Sequence, residues 1–137
     1  MTTGLWCLVG FAGWAILLVF AIASYRGVQV LTGKKRSNEF QSGSPHGGDA
    51  YWRLNRAHMN TIENLPIFGA IIMAASFAHA SSPAFVLLPK VVLGARIAQS
   101  IIHVSSNAPM VINLRFTAFL TQLGCYAWMI VELLRIS

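Results

Sequence analysis

From Leu5 to Ala23 the chain reads LWCLVGFAGWAILLVFAIA, with no residue that is not apolar or glycine. A run of about 18 such residues is long enough to cross a bilayer as a helix. The run ends in an Ala-x-Ala pattern (Ala21, Ile22, Ala23) like that of a cleaved signal peptide. No basic residue precedes it, however, and it is long for a signal core, so it reads as a retained helix. Only 10% of the 137 residues are charged and 55% are hydrophobic, whereas a soluble domain carries about 25% charged residues. An integral membrane protein with little mass outside the bilayer is expected.

Hydropathy and turn chemistry divide the rest. Helices are predicted over about 5–30, 51–80, 84–104 and 110–134. The stretch TGKKRSNEFQSGSPHGGDA is a polar loop by composition, and SSP and SSNAP are short turns. The expected fold class is an all-α membrane protein: one four-transmembrane-helix bundle occupying 1–137. Small residues at Gly10, Gly13, Gly69, Ala70, Ala74 and Ala75 permit close helix approach, either within one bundle or between subunits of an oligomer.

The net charge of +6 is unevenly spread. Arg26, Lys34, Lys35, Arg36, Arg53 and Arg56 all flank or lie in the first connection, which points to membrane orientation and anionic lipid, not to nucleic acid. With Arg115, seven of the ten basic residues fall on the side of the first and third loops, against Lys90 and Arg135 opposite; Arg96 lies within a span. By the positive-inside rule those two loops are cytoplasmic. Cys7 and Cys125 sit in apolar runs and read as small buried hydrophobes, and no metal-ligand spacing is present.

The segment RLNRAHMNTIENLPIF, Arg53 to Phe68, opens a spanning helix with unusual polarity. Arg56, Asn60 and Glu63 recur at i, i+4 and i+7 and so share a face at 100° per residue. Arg96, Ser100 and His103 repeat that spacing in the third helix, with Gln99 alongside; Arg115, Gln122 and Tyr126 lie along one face of the fourth, with Phe119. A charge inside a span costs about 2.5–3.5 kcal/mol on insertion scales, so such residues face a bundle interior, a partner or a wet cavity. Glu63 and Arg96 lie too deep to snorkel; they meet each other or share a ligand. Arg53 and Arg56 have the plainer alternative of reaching lipid phosphates. His103 and Ser100 read equally as packing residues, His79 as interfacial, His58 as structural, and His46 as a loop residue without a signal. Tyr126 and Trp128 suit a helix face toward lipid or a partner. Pro66 cannot donate to the carbonyl of Ile62 and predicts a kink there. Arginines, an asparagine and a glutamate in one cavity suit an anionic or zwitterionic ligand, because guanidinium pairs carboxylate in a bidentate way.

RAHMNTIENLP resembles the signature of the MAPEG family, membrane-associated proteins in eicosanoid and glutathione metabolism. Arg56, Ala57, His58, Asn60, Glu63 and Pro66 carry the match, and ARIAQSIIHV resembles the start of the family's third-helix polar stripe. The short ENLP form is most similar to the family's bacterial branch, which implies a multi-pass protein of the bacterial inner membrane. The resemblance implies a homotrimer that binds glutathione as cosubstrate between subunits, near the cytoplasmic face. Arg56, Asn60, Glu63, Arg96 and His103 would then contact glutathione, and Arg115 or Arg96 would stabilise its thiolate. The implied activity is a transferase or peroxidase acting on a lipophilic electrophile; the alternative is a non-catalytic lipid-binding protein or an accessory subunit of a larger membrane complex. A channel is disfavoured because the first helix offers almost nothing polar. The sequence departs from the eicosanoid enzymes at His103, where they tend to carry tyrosine, and at Val111 and Ile112, where the prostaglandin synthase has an Arg-Ser pair.

Overall fold

A computed structural model describes residues 1–41 and 43–136; Ser42 of the polar loop and Ser137 at the end of the expected domain lie outside the described residues. Four helices follow in order: α1, Thr3–Leu31; α2, Asp49–Phe77; α3, Ala84–Ser105; α4, Pro109–Ile136. No strand occurs among the described residues. Three helices, α1, α3 and α4, are long and apolar enough to cross a membrane. Helix α2 is as long as α1, at 29 residues. Its first half carries the polar segment, which lowers its apolar content below that of a plain span.

Each helix end has a local cause. Thr2 caps α1, its Oγ1 accepting from the Leu5 amide at 3.3 Å. At the other end Gly33, at φ 70°, closes α1: its amide donates to Val30 O, and that of Lys34 reaches back to Gln29 O. This pair of bonds is the Schellman arrangement, which asks for a left-handed residue. Helix α2 ends the same way, with His79 donating to Ser76 O and Ala80 to Ala75 O. Here the left-handed residue is His79 itself, at φ 49°, so α2 stops at Phe77 and does not run on to 80. Pro66 does not interrupt α2, which is continuous through it.

The bundle is apolar both in its core and over its outer surface. Phe11 from α1, Phe68 and Ile72 from α2, Val92 from α3 and Met129 from α4 form the centre of the core, with Phe11 and Phe68 at 5.3 Å between ring centroids. Large apolar residues such as Trp6, Leu17, Phe20, Leu87, Phe116 and Trp128 point outward, an arrangement suited to lipid and unsuited to water. Gly10 sits close against α3, where an added Cβ would come to 3.0 Å from the Leu93 side chain and ask it to shift by a few tenths of an ångström; Gly13 faces open space. Tyr126 belongs to the core, 3% exposed, and not to the outward face toward lipid or a partner that was one expectation for it, whereas Trp128 does face outward. Cys7 and Cys125 are free thiols in the core.

Helix α3 packs against the other three, while α2 and α4 meet only over a short stretch. Where α2 and α4 diverge, α3 floors a groove between them. The first loop is anchored beside that groove by aromatic contacts. Tyr25 and Tyr51 stack at 4.5 Å, and the Arg26 Nε donates to the Tyr51 hydroxyl at 2.6 Å. The Arg26 guanidinium and the Lys35 ammonium both lie over Phe40, at 5.3 and 5.5 Å. His46 contacts Tyr51 edge-on at 5.4 Å and also lies against Trp52. His46 is thus part of the box that pins the loop to the start of α2, a role its sequence context did not signal.

Candidate active site

The groove between α2 and α4 holds two adjoining cavities of about 250 and 240 Å3. The inner one is lined by Asn60, Gln99, His103, Arg115, Phe116 and Phe119. The outer one is lined by Asp49, Trp52, Arg53, Arg56, His103, Asn107 and Arg115. His103 and Arg115 belong to both and join them into one cleft. Three guanidiniums therefore share the cleft with a single carboxylate, that of Asp49. Cations held together raise one another's energy, and an anionic ligand relieves this.

The side chains reach the cleft through a defined frame. Arg53 crosses to α3 and donates from Nε to Val104 O at 3.0 Å, which satisfies a carbonyl at the end of that helix. Gln99 donates to Arg115 O at 3.0 Å, and Gln122 donates to the Gln99 Oε1 at 3.0 Å. This buried amide seam fixes α4 on α3 and sets the height at which the Arg115 side chain leaves its helix. His103, 8% exposed, sits one turn beyond Gln99.

The stripe of α2 turns away from the bundle. Ala57, Thr61, Asn64 and Phe68 form the buried face of this helix, whereas Arg56 and Glu63 are exposed and Asn60 is half-buried. Arg96 points the other way. It is 1% exposed, its Nη1 donates to the Asn60 carbonyl at 3.1 Å, and its guanidinium lies 5.5 Å from the centre of the Phe11 ring. Its Nε and Nη2 make no hydrogen bond of good geometry, and the Tyr126 hydroxyl is the polar group beside them. Arg96 and Glu63 therefore do not form the direct ion pair that the sequence left open: the Glu63 carboxylate acts on the guanidinium only through space, and the hydrogen-bonded link from α3 runs to the Asn60 backbone. Ser100, expected on the Arg96 stripe, is buried and bonds to the Arg96 carbonyl, with Thr61 at 3.5 Å.

The chain is matched over residues 4–135 by the model of one protein family, the MAPEG family. It belongs to that family. No curated protein matches it. Membership makes this a membrane protein of the glutathione and eicosanoid metabolism type and ties the family signature to one place: the Arg56–Asn60 part of it lines the cleft, and the Glu63 part continues along the exposed face. Sequence reasoning missed four contributors to this MAPEG cleft, Asp49, Trp52, Asn107 and Phe116. Trp52 lies one residue before the polar stripe, and its aromatic bulk beside Arg53 was a signal that could have been used. Asn107 sits in a turn, and nothing in its sequence context marks it.

Proposed function

We propose that the protein is a glutathione-dependent transferase or peroxidase, working on lipophilic electrophiles from the bilayer as a homotrimer with the arginine cleft toward the cytoplasm. The observation that carries this reading is the cleft itself, where Arg53, Arg56 and Arg115 converge beside His103. Glutathione offers two carboxylates for guanidinium groups and one ammonium for Glu63 or Asp49. The two adjoining cavities, about 250 and 240 Å3, approach the size of a small-molecule site of about 300–1,000 Å3. Exposure of Arg56 and Glu63 at the level of a membrane span favours a neighbouring subunit over lipid as their cover.

Within this reading Arg56 and Asn60 hold the tripeptide. Arg115 is the stronger candidate for thiolate stabilisation, because it lines both cavities; Arg96 is buried behind Asn60 and acts on the site through that residue's backbone. A nearby guanidinium favours the ionised thiol. In the transferase reaction the thiolate sulfur forms a bond to an electrophilic carbon, and the leaving group departs with its electron pair. In the peroxidase reaction the sulfur takes one oxygen of a lipid hydroperoxide, whose other oxygen leaves as the alcohol. A second glutathione then displaces water to give the disulfide. Phe116 and Phe119 give the apolar partner a wall of the same cleft.

Titration of the purified protein with glutathione, followed by heat of binding and thiolate absorbance, tests the reading. Binding accompanied by a thiolate signal that disappears in Arg115→Met is expected. No binding at millimolar glutathione together with no thiolate signal would sink it and favour the non-catalytic alternative.

A further inference from the structure

Helix α1 ends where an exposed apolar strip meets a run of cations. Its last turn leaves Val28, Val30 and Leu31 uncovered, Leu31 at 89% exposure, and Lys34, Lys35 and Arg36 follow directly. An uncovered leucine at the end of a spanning helix places the edge of the hydrocarbon just beyond it. The three cations then stand at the level of lipid phosphates. Their backbone is fixed: the amides of Lys34 and Lys35 both donate to Gln29 O, at 3.0 and 3.2 Å, and Arg36 O accepts from the Glu39 amide at 3.1 Å. Lys35 is half-buried, with its ammonium 5.5 Å from the centre of the Phe40 ring. Lys34 and Arg36, on either side of it, are exposed. Glu39 is the one acid between α1 and α2, and among the described residues no acid forms an ion pair with any of the three. The charge pattern of the sequence pointed to anionic lipid in general; the structure separates the seated cation from the two that are free.

We propose that this end of α1 is a docking surface for an anionic phospholipid of the surrounding leaflet, with its phosphate at Lys34 and Arg36 and an acyl chain along Val28 and Leu31. Charge and apolar strip together decide the class. Neighbouring cations raise one another's energy, and a net negative headgroup relieves this. A zwitterionic lipid brings its own cation to the same place, and a soluble phosphate leaves Leu31 uncovered. The seat of Lys35 on Phe40 fixes the segment that carries the two free cations, so little order has to be gained on binding. The surface is distinct from the arginine cleft and stands independently of the glutathione reading.

The test is native mass spectrometry of the full-length protein in detergent, titrated with a phosphatidylglycerol and, separately, with the phosphatidylcholine of the same chains. Phosphatidylglycerol should be held more tightly, and its advantage should shrink as salt rises. The double variant Lys34→Gln/Arg36→Gln should lose about fivefold in phosphatidylglycerol affinity for each charge, roughly 25-fold together, with phosphatidylcholine unchanged. Both positions are exposed, so the variant should keep its oligomeric size. Leu31→Ser should weaken both lipids, and free glycerol phosphate should not compete. Equal retention of the two lipids, a preference that survives the double variant, or displacement by glycerol phosphate overturns the proposal. So does a preference lost in Arg115→Met and kept in the double variant, which would place the phosphate in the arginine cleft.

Discussion

At the scale of single residues, the two arginines named for catalysis separate. Arg115 is half-buried and opens on the cleft, whereas Arg96 is sealed in the core with two of its nitrogens unpartnered. A buried charge without full pairing is destabilising, and an apolar side chain of similar volume in its place is often neutral or better. Arg96→Met is therefore expected to leave stability unchanged or raise it by roughly 1–2 kcal/mol. Arg115→Met should change stability by no more than about 0.5 kcal/mol, as for an ordinary partly exposed position, yet remove the glutathione thiolate signal. Thermal unfolding in detergent and thiolate absorbance, measured on both variants, separate the two roles. A large loss of stability in Arg96→Met would mean that a ligand or water completes its hydrogen bonds. The periodicity of α2 made the Arg56, Asn60 and Glu63 face readable from sequence, because 100° per residue is a property of any helix. It did not say whether that face turns inward or outward. That depends on Ala57, Thr61 and Asn64, small or compact residues that fit the α3 surface, and their fit is a tertiary fact.

At the scale of elements, two devices hold the cleft. The first is the Gln99–Gln122 seam between α3 and α4. Removing Gln122 leaves the buried Gln99 Oε1 without its donor, and removing Gln99 leaves Gln122 Nε2 with only its bond to Ala118 O and frees Arg115 O, each at about 1–3 kcal/mol; removing both together avoids part of that. Gln99→Leu and Gln122→Leu should each destabilise by about that amount, and the double variant by at least about 1 kcal/mol less than their sum. A double-mutant cycle on thermal or denaturant unfolding checks this, and strict additivity would mean the seam carries no coupling. The second device is the aromatic box on the first loop. Tyr51→Phe removes the bond from Arg26 but keeps the ring, and should cost about 1–2 kcal/mol. Tyr51→Ala removes the ring as well and should release the loop, seen as faster hydrogen exchange over 34–48 with α3 and α4 unaffected. The box illustrates what sequence could not reveal. Four helices were legible because long apolar runs have few alternatives. The loop's order was not, because it rests on contacts between Arg26, Phe40, His46 and Tyr51, which are far apart in the chain and individually unremarkable in a Gly- and Ser-rich stretch.

At the scale of the whole molecule, the question is what covers Glu63. It is exposed on a helix whose neighbours are long and apolar enough to cross a membrane, and among the described residues its carboxylate has no salt-bridge partner. If lipid covered it, exchanging it for an apolar residue would remove an insertion cost of about 2.5–3.5 kcal/mol, and Glu63→Leu would be stabilising. If a second subunit or glutathione covers it, the same change removes charge-assisted hydrogen bonds worth about 1.5–3 kcal/mol, and assembly or ligand affinity falls by about 10–100-fold. The exposed small residues on the same helix, Ala70 and Ala74, allow another helix to come close. Together with the polar stripe they favour a protein neighbour over lipid. The expected outcome is that native mass spectrometry finds the wild-type protein as a trimer, that Glu63→Leu weakens glutathione binding and the trimer together, and that Glu63→Gln, which keeps the shape and part of the hydrogen bonding, falls between them. A Glu63→Leu protein that is more stable than the wild type and still trimeric would put this face against lipid. It would also move the glutathione site wholly into the cleft lined by Arg53, Arg56 and Arg115 of one subunit.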